Sequence, residues 1–321
     1  MKVPEISLVS REVTGLREEG VWLHKRAASA RKAVAAKRLL LRMLVYALLS
    51  AGGFILLIPF FWMVSTAVKP EVQVFLYPPK WIPEPILWRN FADVLTPRPQ
   101  HGTLTQYVGM PFFRNLSNTS FIVSMNIVGS LLSCSMAAFG FSRLRARLKR
   151  VLFIAVLATM MLPWQVLLIP QFILFRTLRW TNTFWPLTVP AFFRNAFYIF
   201  LLRQFFMTIP REIDDAARID GCNSLQLFWH VILPLCKPAL ATVAIFSFMT
   251  HWNDFMGPLI YLDDPNKFTL ALGLRQFQTM YGVRYNYLMA ASTLVMLPCL
   301  IMFFSLQRYF IQGVVIYSFK G

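Results

Sequence analysis

An all-α, polytopic membrane bundle of six transmembrane helices is the fold class the sequence predicts. The chain of 321 residues is 57% hydrophobic and 14% charged, with mean hydropathy +0.54, whereas soluble domains run nearer 45–50% and about 25%. The apolar residues gather in stretches of about 20, the length that crosses a hydrocarbon core of roughly 30 Å as a helix. The net charge of +18 is concentrated beside those stretches, as membrane anchors are. That distribution excludes the single basic groove of a nucleic-acid binder.

Residues 1–38 are charged and mixed, lack a signal-peptide pattern, and read as a cytoplasmic tail. Residues 39–321 form the membrane domain. Its spans are expected at about 40–66, 117–141, 151–174, 186–207, 239–262 and 287–307. Pro163 and Pro170 fall in the third and Pro298 in the sixth, which neighbouring helices or waters must accommodate. Lys and Arg at the start of the first span (Arg31, Lys32, Lys37, Arg38, Arg42) and after the second (Arg143, Arg145, Arg147, Lys149, Arg150) mark the cytoplasmic side. Six spans then place both termini in the cytoplasm. On the opposite side, residues 68–116 are too long for a plain connection. Trp81, Ile82, Trp88 and Phe91 argue that this segment is ordered, as a packed cap or a docking surface.

After the fourth span runs REIDDAARIDG, residues 211–221, a polar patch inside an apolar chain. Pro210 suits a first helical turn, and Glu212, Asp214 and Asp215 complement its dipole. Asp214 and Arg218 are spaced i, i+4. Ile213, Ala216 and Ala217 make a small apolar face, and Gly221 suits a left-handed C-terminus. A second short helix comes next, capped by Asn223 or Ser224, with Leu225, Phe228, Trp229 and Ile232 as one apolar stripe and Pro234 and Pro238 as its stop. This helix–turn–helix elbow, residues 208–238, either folds back on its own bundle or docks in the groove of a soluble partner.

The stretch EIDDAARIDGCNSLQLFWHVILPL resembles the EAA loop of ABC-importer permeases: E-A-A, three residues, Gly, nine residues, then I-x-L-P. The pattern falls on Asp215, Ala216, Ala217, Gly221, Val231, Leu233 and Pro234, with Asp215 in place of Glu and Val231 in place of Ile. THWNDFMGPLIYL (250–262), FTLALGLRQF (268–277), STAVKP (65–70), LPWQVLLIPQFIL (162–174) and residues 288–313 are similar to the second permease of maltose-type and glycerol-3-phosphate-type uptake systems. The resemblance implies a type I ABC importer permease fold in a bacterial or archaeal inner membrane. It implies as partners a second permease in a heterodimer, two ABC ATPase subunits, an extracytoplasmic solute-binding protein and membrane lipid. The elbow becomes the ATPase-coupling helix, with Asp215, Ala216, Ala217, Gly221, Leu225, Phe228, Leu233 and Pro234 at the coupling surface. The chain has no G-x-x-x-x-G-K-[ST] loop, so it is expected to hold no cofactor, with ATP and Mg on the separate ATPase, and to be no enzyme.

Charges within spans are costly. Arg203 lies close enough to Pro210 to reach the surface, and Arg194 lies near the fourth span. Asp254, after Trp252 and Asn253, should face the interior as a hydrogen-bond partner or as part of the solute pathway. Phe246, Phe248, Trp252 and Phe255 are aromatic candidates for packing or for stacking on sugar. The four cysteines (Cys134, Cys222, Cys236, Cys299) and four histidines (His24, His101, His230, His251) show no metal-ligand spacing. Two rival readings are an ion-coupled secondary transporter acting alone, which needs intramembrane carboxylates and broken helices, and a membrane anchor or assembly subunit.

Overall fold

The computed structural model describes the backbone of residues 6–96, 98–99, 107–193, 195–279 and 282–318, and side chains over 37–96, 109–193, 195–278 and 283–307. His24, His101, Arg194 and the terminal Lys320–Gly321 lie outside the described side chains. The chain divides into two units, Met1–Trp62 and Met63–Gly321.

Helix α1, Ile6–Ala67, runs through that division. Its apolar stretch Lys37–Ala67 is long enough to cross a membrane, and the side chains from Leu39 to Phe61 are exposed. In the second unit, α2 (Arg89–Leu95) precedes the antiparallel pair β1 (Arg98–Pro99) and β2 (Tyr107–Val108). Asn90 is buried beneath α2 and donates from Nδ2 to the Ala67 and Lys69 carbonyls at 2.9 and 3.0 Å. Lys69 is fully buried, and desolvation lowers its pKa. The region before β1 is ordered, yet Tyr77, Ile82 and Trp88 stay exposed.

Helix α3, Phe112–Ser142, is the central rod of this unit. Its small and polar residues Gly129, Ser130, Cys134, Ser135 and Ala138 face neighbouring helices. Helices α4 (Lys149–Ala158) and α5 (Trp164–Thr177) form a pair bent by 98° at the break between Met161 and Trp164, the geometry of a broken span or a re-entrant loop. Pro170 stays inside α5. The short α6 (Trp185–Thr188), a 3-10 turn (Val189–Phe192) and α7 (Ala196–Thr208) come next. Then come α8 (Arg211–Ile219), α9 (Ser224–Gln226), a π-helical turn (Leu227–Ile232), α10 (Leu233–Leu235) and α11 (Lys237–Trp252). Helix α12 (Met256–Tyr261), α13 (Leu270–Gly273), the antiparallel pair β3 (Gln278–Thr279) and β4 (Gly282–Val283), and α14 (Tyr285–Ser318) complete the chain, with Pro298 inside α14.

The structure is all-α apart from the two-residue strand pairs. It does not establish six spans. Among the described residues, three helices are long and apolar enough to cross a membrane (37–67, 112–142 and 285–307), and five segments qualify if each bent pair counts as one. The expected fourth span is interrupted at Pro190 and Asn195. What remains continuous, α7, has 13 residues, about 20 Å at 1.5 Å per residue, short of a roughly 30 Å core. Among the described residues, one of three core clusters is built where α3, α7, the π-turn and α11 meet, around Phe139, Tyr198, Leu202, Phe206, Phe228, Ile232 and Val243.

Candidate functional site

The elbow stands at the end of α7. Helix α8 ends in a Schellman motif: the Cys222 N–H donates to the Ala217 carbonyl at 2.9 Å and the Gly221 N–H to the Arg218 carbonyl at 3.0 Å. Gly221 takes φ +84°, a conformation that costs a residue with Cβ. Asn223 then caps α9 in a reciprocal box, its side chain accepting from the Gln226 N–H and its own N–H donating to the Gln226 side chain, both at 2.9 Å.

The π-turn shifts the register of the elbow's second helix. Leu227, Phe228 and Ile232 are buried, while Leu225 is 61% and Trp229 44% exposed. The predicted stripe Leu225–Phe228–Trp229–Ile232 therefore splits, because i→i+5 bonding turns side chains through a different angle from an α-helix. Phe228 packs on Phe139 inside the bundle, with ring centroids 5.2 Å apart.

Helix α8 is two-sided. Asp214 and Ala217 are buried, while Asp215, Ala216 and Ile219 are exposed, Ile219 to 87%. Asp214 does not pair with Arg218. Its Oδ2 lies 3.0 Å from Arg143 Nη1, with the two side chains 9% and 3% exposed. Arg143 Nη2 also donates to the carbonyls of Phe206 (2.7 Å) and Ile209 (2.9 Å). These are carbonyls of the last turn of α7 and its C-cap, where a cation satisfies orphan acceptors and the helix dipole. Arg143 is thus no surface anchor: it ties the end of α3 to the end of α7 and to α8. Nothing in a run of five cations after the second span singles it out. Of the other residues predicted for the coupling surface, Gly221 and Pro234 are exposed and Leu233 is half-buried.

A cleft of about 610 Å³ opens between α3, α5, α6 and the junction of α11 with α12. Asn126, Gln171, Asn195, His251, Asn253 and Asp254 line it, with Phe255 and Tyr261. The chain breaks its helix between Trp252 and Met256, and Asp254 Oδ1 accepts the Gly257 N–H there at 3.1 Å. Asn126 is buried and donates to the Ile122 and Leu187 carbonyls, both at 2.8 Å, holding α6 against α3. Gly257 lets the wall close: a Cβ there would lie 2.5 Å from Asp254 Oδ2 and 3.0 Å from Leu187 Cδ2. Trp252 does not line the cleft. It is buried, stacks on Phe248 at 5.1 Å, and donates from Nε1 to the Val295 carbonyl at 3.1 Å. Phe248 and Trp252 are therefore packing residues. Asn126 and Gln171 escape the sequence reading, although polar residues inside predicted spans are a signal that could have found them.

Residues 129–316 match the family model described as "Binding-protein-dependent transport system inner membrane component". The arabinooligosaccharides transport system permease protein AraQ of Halalkalibacterium halodurans is 36% identical over 204 residues, 64% of this chain and 73% of that protein. The diacetylchitobiose uptake system permease protein DasC of Streptomyces coelicolor is 32% identical over 267 residues, 83% of this chain and 92% of that protein. Among solved structures, a chain of a bacterial ABC transporter involved in the import of the acidic polysaccharide alginate superposes with TM-score 0.70 at 25% identity, covering 84% of this chain and 95% of that one.

Proposed function

Because this chain belongs to the family of binding-protein-dependent transport system inner membrane components, we propose that it is a permease subunit of an ATP-driven importer for a carbohydrate-class solute. It is a transport subunit rather than an enzyme. In this reading it forms half of the translocation pore beside a second, non-identical permease. An external binding protein delivers the solute, and two ATPase subunits, which hold ATP and Mg, act on the elbow from the cytoplasm, where both termini lie.

The observation that carries the reading is the two-sidedness of α8. Its inner side is locked by the buried Arg143–Asp214 pair, and its outer side presents Asp215, Ala216 and Ile219. A solvated cap needs no internal ion pair, and an exposed isoleucine beside two small or acidic residues suits docking into an apolar groove rimmed by cations. Gly221 and Leu225 continue that surface. Phe228 and Leu233 contribute from within, by fixing the elbow to the bundle. Asn253 and Asp254 serve the solute pathway through the polar cleft, whose amides and carboxylate suit hydroxyl groups. Trp252 supports them as a packing residue behind the wall. The relatives named for arabinooligosaccharides and diacetylchitobiose support the solute class.

Affinity purification of the tagged chain from its native membrane tests this. An ATPase subunit should co-purify, and Ile219→Ser with Asp215→Ala should abolish that while leaving the chain inserted. Ion-driven solute uptake by the chain alone in liposomes, without ATP, would overturn it.

A further inference from the structure

A second cleft, of about 630 Å³, lies where the loop after α3, the start of α4 and α7 meet. Arg147, Lys149, Arg150 and Arg203 line one part of it, and no carboxylate does. Among the described residues none of the four makes a salt bridge. Lys149 Nζ donates to the Leu144 carbonyl at 2.9 Å and the Ser142 carbonyl at 3.3 Å, and Arg203 Nε donates to the Phe141 carbonyl at 3.3 Å. Those acceptors are neutral, so the positive charge stays uncompensated. The Arg203 guanidinium lies over the Phe153 ring at 4.2 Å, which fixes its plane.

The remaining wall is apolar: Phe153, Ile154 and Leu157. It continues onto the outer face of α4, where Val151, Leu152 and Ile154 are exposed. This helix is the first member of a bent pair apolar enough to cross a membrane, and in the proposed permease its exposed apolar side faces hydrocarbon. Its first turn carries the positive end of the helix dipole, which adds to the attraction for an anion. One cleft therefore offers two chemistries side by side, a group of four cations and an apolar wall.

We propose that this cleft binds an anionic phospholipid, its headgroup phosphate between Arg147, Lys149, Arg150 and Arg203 and an acyl chain along Phe153 and Leu157. A guanidinium pairs bidentately with phosphate oxygens, and basic pockets between membrane helices favour such headgroups. A free phosphate would use the cationic mouth and leave the apolar wall unmatched, which is why the lipid is the occupant assigned. A bound lipid would wedge α4 against α7 beside the elbow.

The test uses the full-length purified chain. Native mass spectrometry tracks titration with phosphatidylglycerol and with phosphatidylcholine of the same acyl chains. Arg147→Gln with Arg150→Gln removes two exposed cleft cations; Arg145→Gln with Arg218→Gln removes two exposed cations off the cleft and matches the change in net charge. The wild type should retain phosphatidylglycerol preferentially. The cleft double variant should lose about 30-fold of that affinity, about 1 kcal/mol for each cation. The off-cleft variant should keep it, and excess inorganic phosphate should not displace the lipid. Equal retention of the two lipids, or equal losses in both double variants, would refute the site. Displacement by inorganic phosphate would show a soluble-anion site and refute the lipid.

Discussion

Removing the carboxylate of Asp214 should destabilise the protein far more than removing its neighbour's. Asp214 lies 3.0 Å from Arg143, with both side chains nearly enclosed, whereas Asp215 is exposed. Asp214→Ala strands a buried guanidinium that retains only two neutral acceptors, the carbonyls of Phe206 and Ile209. Breaking one side of a buried pair costs about 3–5 kcal/mol, a large share of the roughly 5–15 kcal/mol that holds a domain folded. Asp215→Ala should cost about 0–1 kcal/mol of stability. Its effect should appear instead in association with the ATPase. Thermal unfolding in detergent separates the two variants, and pull-down of the ATPase separates them in the opposite sense. Arg143→Met, Asp214→Ala and the double variant form a cycle with the wild type in which the coupling should reach about 2–3 kcal/mol. The double variant should recover only part of the loss, because a methionine side chain cannot replace the donors to the end of α7. Equal unfolding temperatures for Asp214→Ala and Asp215→Ala, or a coupling near zero, would refute the placement of this pair.

Three further outcomes are expected. Gly221→Ala meets no neighbouring atom, so its cost, about 1 kcal/mol, should come from φ +84° alone; denaturant titration measures it, and Gly221→Asn should restore part. Gly257→Ala pushes a Cβ against Asp254 Oδ2 and Leu187; overpacking of this kind costs about 1–3 kcal/mol, and solute uptake should fall while ATPase association persists. In a background with the four cysteines replaced, Leu148→Cys and Trp81→Cys, both at exposed positions, should be labelled from opposite faces of the membrane.

Local rules are legible in the sequence and long-range pairings are not. Gly221 announces a left-handed C-terminus and Asn223 a cap, because both act within four residues. The bend in the third expected span is foreshadowed by Pro163. The apolar stripe of the elbow is misread because 3.6 periodicity presumes an α-helix, and nothing in LFWHVI marks the π-turn. The break in the fourth expected span goes unread because hydropathy sums over Pro190 and Asn195 without registering it. Spacing alone pairs Asp214 with Arg218, four residues away, whereas Arg143 is reached only once α3 and α8 meet in space.

That long-range pairing explains how the elbow can act. A helix of nine residues is too short to hold its shape alone, so a force on its outer edge would fray it unless its inner edge were fixed. Three attachments fix it: the Arg143–Asp214 charge pair, the Schellman closure onto Ala217 and Arg218, and the packing of Ala217 with Leu227, Phe228 and Ile232 against Phe139 and Phe206. Arg143 stands one residue past the end of α3 and holds the last carbonyls of α7. In the proposed importer, a displacement of Asp215, Ala216 and Ile219 would thereby pass to the ends of two core helices at once. α3 also lines the polar cleft through Asn126 and Ser130, so the rod that would receive the push is part of the wall proposed for the solute pathway. Loss of the pair should therefore uncouple ATP hydrolysis from uptake even in a variant stable enough to assemble, and Asp214→Asn, which keeps the shape and removes the charge, is the substitution that exposes it: ATPase association retained, solute-stimulated hydrolysis lost. Normal stimulation in Asp214→Asn would mean that packing alone transmits the motion.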